Sequence, residues 1–131
     1  MLIDTAIISQ LEIILRGSNG MYVSSDGSDR SVFVSEKDDA EKFTVYQVDS
    51  STIQLYSKRL QKYVTRWADH AAIRKSSSDI FCNFKVGEIK GFITLKGDNN
   101  NYLSYLLNGG NSYLMLNSDD IDSNAKFHVE I

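Results

Sequence analysis

The chain predicts an all-β domain of twelve short strands in three pseudo-symmetric units, closed into a barrel and capped by three hairpins. Three observations carry that prediction. The first is a near-repeat at a period of roughly forty residues. Ile13–Ile14–Leu15, Ile53–Gln54–Leu55 and Ile93–Thr94–Leu95 open the units; Tyr22–Val23, Tyr63–Val64 and Tyr102–Leu103 follow. Phe43–Thr44–Val45, Phe84–Lys85–Val86 and Phe127–His128–Val129 close them. Such a repeat is one supersecondary unit reused, with a core completed only when the copies assemble. The second is apolar alternation over short runs, as in Ile13/Leu15 and Phe127/Val129/Ile131, which marks strands with one buried face. No segment sustains helical spacing for three turns. The third is turn chemistry between the runs, in Asn19–Gly20, Asp26–Gly27, Asp98–Asn101 and Asn108–Gly110. The chain has no proline, so Gly, Asn, Asp and Ser must make its turns.

Taken in order, the first unit predicts strands near 11–16, 21–25, 31–36 and 43–48. The second predicts them near 52–57, 62–66, 71–75 and 83–87, and the third near 91–96, 101–105, 112–117 and 126–131. Units of about 11–53, 54–90 and 91–131 are too small to fold independently, so residues 1–131 form a single domain. Met1–Ser9 lacks a basic start and a long apolar centre and carries Asp4; it reads as the first edge of the fold rather than a secretory signal. A sandwich would not require threefold recurrence, and three propeller blades cannot close a ring. A closed barrel also removes exposed strand edges.

At 42% hydrophobic and 24% charged residues, the composition is that of a soluble globular protein. No apolar run approaches the ~18 residues that span a bilayer. A single cysteine, Cys82, excludes an internal disulfide framework and suits a cytoplasmic protein, with later release left open. Two histidines and one cysteine make no structural metal cluster, and no cofactor motif is present.

The units carry an apolar or aromatic pair after a glycine-rich turn, as in Gly20–Met21–Tyr22–Val23–Ser24. They end in an apolar residue, two spacers and a phenylalanine strand, as in Ala40–Glu41–Lys42–Phe43–Thr44–Val45. The second copy has Phe81–Cys82–Asn83–Phe84–Lys85–Val86; the third departs, with Asn124 in place of Ala40 and Phe81. Over about residues 11–131 the chain resembles a β-trefoil, and more narrowly the fascin and hisactophilin group. That resemblance implies a trefoil fold and an actin-binding cytoskeletal role. The histidine-rich loops of hisactophilin are missing, and so is the Gln-x-Trp signature of ricin-type lectin repeats.

No enzyme is expected. His128 alternates with core residues and reads as a solvent-facing strand position. His70 adjoins Asp69, a spacing that does not by itself make a side-chain relay. Cys82 reads as a small buried residue with no base to activate it. The tyrosines Tyr22, Tyr63 and Tyr102 recur in register and read as barrel packing.

Charge breaks the symmetry. Cut at 53/54 and 90/91, the first unit has four basic and nine acidic residues, the second eight and three, and the third two and five. Their nets of −5, +5 and −3 make up the chain's −3. A basic second unit could dock an acidic partner through Lys58, Arg59, Lys62 and Arg66, and actin is the partner that the resemblance suggests. The pI near 5.3 and the lack of interleaved aromatics argue against nucleic acid. Trp67 is the other departure, standing where the sister copies hold Asp26 and Leu106. Beside Arg66, Asp69 and His70, an exposed indole would cover the apolar face of a sugar while polar neighbours bonded its hydroxyls. The loops at Asp26–Arg30 and Asn108–Asn111 could hold weaker copies of such a pocket. The expected function is therefore non-enzymatic recognition by a monomer. A lectin-like module binds glycans through Trp67, Asp69, His70, Arg66, Asn108 and Asn111, with actin binding by the basic surface as the alternative.

Overall fold

The computed structural model describes residues 11–25, 31–34, 36–108 and 111–131, and of these the backbone alone at 31–34, 107–108 and 111–112. The first unit holds β1 (Glu12–Gly17), β2 (Tyr22–Ser25), β3 (Ser31–Val34) and β4 (Phe43–Gln47). The second holds β5 (Thr52–Ser57), β6 (Lys62–Trp67), β7 (His70–Lys75) and β8 (Phe84–Ile89). The third holds β9 (Phe92–Lys96), β10 (Tyr102–Asn108), β11 (Asn111–Ser118) and β12 (Phe127–Glu130). The described residues contain no α-helix, so the all-β expectation holds, and no helix among them is long and apolar enough to cross a membrane. Met1–Ser9 and the Asp26–Arg30 loop lie outside the described residues. The unit boundary expected at 53/54 falls inside β5; the chain turns between β4 and β5 at residues 48–51 instead.

The strands close into a barrel. An unbroken circuit of antiparallel ladders runs β1–β4–β5–β8–β9–β12 and back to β1. The repeat explains the circuit, because each opening isoleucine lies opposite a closing phenylalanine: Ile13 with Phe43, Ile53 with Phe84, and Ile93 with Phe127. These residues and Leu15, Leu55 and Leu95 are among the buried core. The hairpins β2–β3, β6–β7 and β10–β11 complete the fold, and β11 joins both others through Tyr113 with Val32 and Met115 with His70.

Two expected core positions are shifted. The fully packed residue of each second strand is the one after the tyrosine, namely Val23, Val64 and Leu103. Tyr22 stays buried, but Tyr63 and Tyr102 are only half-buried. Each tyrosine instead faces a cross-strand partner: Arg16 lies over Tyr22 at 5.6 Å, Lys96 over Tyr102 at 5.3 Å, and Tyr56 packs on Tyr63 at 4.7 Å. The other shift lies ahead of the closing phenylalanines, where Ala40, Phe81 and Asn124 hold matching positions in the repeat. Phe81 is 38% exposed, and the buried position is one residue later, at Glu41, Cys82 and Ala125. A 3₁₀ turn before each phenylalanine causes this, and Asp79 and Asp122 cap two of the three through Phe81 N and Asn124 N at 3.0 Å.

Close approach also fixes Gly87, which lies opposite Thr94 in the β8–β9 ladder. A Cβ there would stand 2.6 Å from the buried Thr94 Oγ1. Gly87→Ala should therefore destabilise the protein by about 1–3 kcal/mol. Urea unfolding checks this, and unchanged stability would contradict the close approach.

Candidate functional site

The β6–β7 hairpin carries the residues that the sequence singled out. Trp67 ends β6 and lies directly opposite His70, the first residue of β7, so both side chains share a face. Ala68 turns the chain with a φ of 55°, and Asp69 O accepts from Leu116 N at 2.6 Å, which pins the tip to β11. Trp67 is 59% exposed, so its indole points outward rather than folding over the barrel rim. The ladder shifts register between Tyr63 and Val64, whose partners are Lys75 and Ile73, leaving Arg74 as the extra residue of a β-bulge. From there its guanidinium carbon reaches 3.9 Å from the centre of the Trp67 ring. Such a cation–π stack contributes about 0.5–1 kcal/mol at an exposed site and holds the ring in place.

Asp69 and His70 are closer than their adjacency suggested. His70 Nδ1 stands 2.8 Å from Asp69 Oδ1, and both side chains are 57% exposed. Turn geometry, invisible to sequence spacing, makes that contact. It engages one ring nitrogen, Nδ1, and leaves Nε2 outside the contact.

Arg66 belongs behind this surface. Its Nε and Nη2 donate to the two carboxylate oxygens of Asp98 at 2.6 and 3.0 Å, and Nη1 donates to Ala68 O at 2.9 Å. The Asp98 hydrogen bond raises its pKa further above the ordinary guanidinium value. A forked pair of this kind is orienting and directional. Arg66 therefore braces the turn, with its donors engaged by Asp98 and Ala68 O. Asn108 and Asn111 lie apart from this tip: they are strand residues paired with each other at the far end of β10–β11. Asn111 lies four residues along β11 from Met115, the partner of His70, or about 13 Å at 3.3 Å per residue.

In the basic surface of the second unit the two arginines, Arg59 and Arg66, are engaged with carboxylates. Lys58 is exposed and Lys62 half-buried in β6. Arg59 donates through Nη2 and Nε to Glu41 Oε2 at 2.7 and 3.2 Å. Glu41 is only 3% exposed, and its other oxygen accepts from Ser57 Oγ. Burying a carboxylate is costly unless it is paired and hydrogen-bonded, so Arg59 serves the fold. This pair walls an open cleft of about 570 Å³ lined also by Ser24, Asp38, Asp39 and Lys58. Sequence reasoning counted Arg74 in the basic charge of the second unit without joining it to Trp67, and it missed Glu41. A signal for Glu41 existed, since the sister copies hold Cys82 and Ala125 two residues before the closing phenylalanine.

Elsewhere, Cys82 is fully buried as expected, and burial pushes its thiol pKa up. His128 is exposed as expected, with its ring 4.4 Å from that of Phe92. Among the described residues no three His, Cys, Asp or Glu side chains gather to hold a metal ion. No known protein-family model matches the chain, and comparison with curated proteins found no match.

Proposed function

We propose that the protein is a β-trefoil recognition module that binds carbohydrate through the tip of the β6–β7 hairpin. The circuit of ladders, the three capping hairpins and the recurrent Ile–Phe pairs support the trefoil; the fascin and hisactophilin likeness rests on the sequence motifs alone. One observation carries the function: an exposed indole with the Arg74 guanidinium over its ring, beside an exposed Asp69–His70 pair. A sugar ring lays its C–H face on the indole, the Asp69 carboxylate accepts from its hydroxyls, and His70 Nε2 bonds a further oxygen. Binding at one such shallow surface is weak, and multivalent glycans strengthen it only where several copies engage together.

Trp67→Ala should weaken glycan binding roughly five- to thirtyfold, since the aromatic contact contributes on the order of 1–2 kcal/mol. Its exposure keeps the cost in stability near that of the lost Arg74 stack, under about 1 kcal/mol. A glycan array probed with both proteins checks this; no bound sugar, or equal binding by both, would overturn the proposal. An actin-directed surface formed by Lys58, Arg59, Lys62 and Arg66 is the weaker proposal, because Glu41 and Asp98 already hold its two arginines. A monomer in a reducing compartment such as the cytoplasm suits a chain whose single cysteine is buried.

A further inference from the structure

Lys85 and Lys96 lie directly opposite each other in the β8–β9 ladder. The same cross-strand row continues to Thr52 on one side and Tyr102 on the other. Like charges in directly opposed positions are destabilising, with Cβ atoms only about 5 Å apart. Neither ammonium pairs with a carboxylate among the described residues; Lys96 leans over the Tyr102 ring instead. Both line a small depression of about 250 Å³ with Thr52, Asn83, Asp49 and Asp98. Its other walls include the exposed Ile80 and the backbone at Gly97.

The two carboxylates at this rim are occupied. Asp98 is held by the fork of Arg66. Asp49 accepts from Ser51 N at 2.9 Å, and that bond, with help from Thr52, keeps it below the usual carboxylate range. The lining itself, Lys85 and Lys96 against Asp49 and Asp98, sums to zero, and Arg66 behind it, paired with Asp98, brings the local sum to +1. Asn83 Oδ1 accepts from Gln54 Nε2 at 2.7 Å, which turns the Asn83 Nδ2 donors to other partners.

We infer that this depression, between the opposed Lys85 and Lys96, is a binding site for a small tetrahedral oxyanion, sulfate or phosphate, whether free or esterified to a larger ligand. Two ammonium groups on flexible stems are suited to such a group as point charges with rotatable donors. The depression is smaller than pockets that enclose a drug-sized molecule, and fits a single charged group. A bound anion turns the like-charge opposition into a bridge, and Asn83 Nδ2 adds a neutral donor. The site stands apart from the glycan proposal, since no residue is shared with the Trp67 surface. Arg66 nevertheless links the two, because it bonds both Ala68 in the Trp67 turn and Asp98 at this rim.

The test is thermal unfolding at fixed ionic strength, with chloride replaced by millimolar sulfate or phosphate. The wild-type midpoint should rise by a few degrees, because a ligand bound only to the folded state stabilises it. Lys85→Gln should unfold at a higher temperature than wild type in low-salt chloride, and should lose most of the sulfate increment. Lys90→Gln removes an equal charge at an exposed turn and should keep that increment. Equal increments in all three proteins would reveal only general salt exclusion and overturn the site; so would no increment at all. A monosaccharide sulfate that binds the wild type more tightly than inorganic sulfate assigns the anion to a sugar ester, while equal binding assigns a free anion. If Trp67→Ala leaves glycan binding unchanged while the sulfate increment persists, the carbohydrate proposal fails and this site stands.

Discussion

Phe84→Ala should lower stability by about 3–5 kcal/mol, and Phe43→Ala and Phe127→Ala should fall within about 1.5 kcal/mol of it. Each ring is at most 1% exposed, and each lies across from the opening isoleucine of its own unit. Truncation removes the ring's transfer free energy and leaves a cavity that the barrel wall cannot collapse to fill. A loss of this size is a large fraction of the 5–15 kcal/mol typical of a small domain, so any two of the substitutions together should prevent folding. The near-equality is the sharper expectation, because three equivalent positions in one closed circuit have similar surroundings. Urea unfolding of the three single variants measures it. One variant close to wild type would mean that the threefold pattern in the sequence does not reflect a threefold core.

Arg59→Ala should cost about 2–4 kcal/mol, and Glu41→Ala less. Removing Arg59 strands a carboxylate that is 3% exposed with only the Ser57 hydroxyl for company. Breaking one side of a buried pair is strongly destabilising because the surviving charge is uncompensated. Removing Glu41 instead leaves a neutral site, and the third unit already holds alanine at the matching position, Ala125, fully buried. Arg59 then points its exposed end to water. The double variant should therefore be more stable than Arg59→Ala alone, a sign reversal that chemical denaturation of the three proteins detects. If Arg59→Ala matches wild type while Glu41→Ala unfolds, the carboxylate is held by something other than this pair.

The fold was legible because its cause is repetitive. Alternation at Ile13/Leu15 and its copies defined which face is buried, and the strand limits followed closely. β10 differed most, running on to Asn108 past the expected end near Tyr105, because a hairpin ladder with β11 extends the strand beyond its apolar core. Register shifts were harder to foresee. Of the repeated tyrosines only Tyr22 is buried; the 2.0-residue period places Val23, Val64 and Leu103 inward and leaves Tyr63 and Tyr102 half-buried against neighbours across the sheet. A one-residue change of phase exchanges faces in a strand.

The candidate site was legible only in part. Trp67 stands out because it breaks the repeat, with Asp69 and His70 as its polar neighbours, and the hairpin brings the three together. Arg66 carried the same signal but is drawn off by Asp98, thirty-two residues away in the chain. That partner comes from a turn of the next unit, and no local pattern points to it. The stacking of Arg74 on Trp67 was hidden for a different reason. Its reach to Trp67 depends on a bulge, and one extra residue in a ladder leaves no mark in composition or spacing. Charge counting failed similarly: the positive excess of the second unit is real, yet two of its arginines neutralise carboxylates of the first and third units.

Trp67 is the sole tryptophan, so its fluorescence reports on the proposed sugar surface and nothing else. Titration of the wild-type protein with an array-positive glycan should give a saturable change in tryptophan emission, with a midpoint matching the affinity measured independently. Asp69→Asn should shift that midpoint to higher concentration without altering the starting spectrum. A glycan that binds with its full affinity while the emission of Trp67 stays constant throughout would place the sugar elsewhere and contradict the β6–β7 tip as the recognition site.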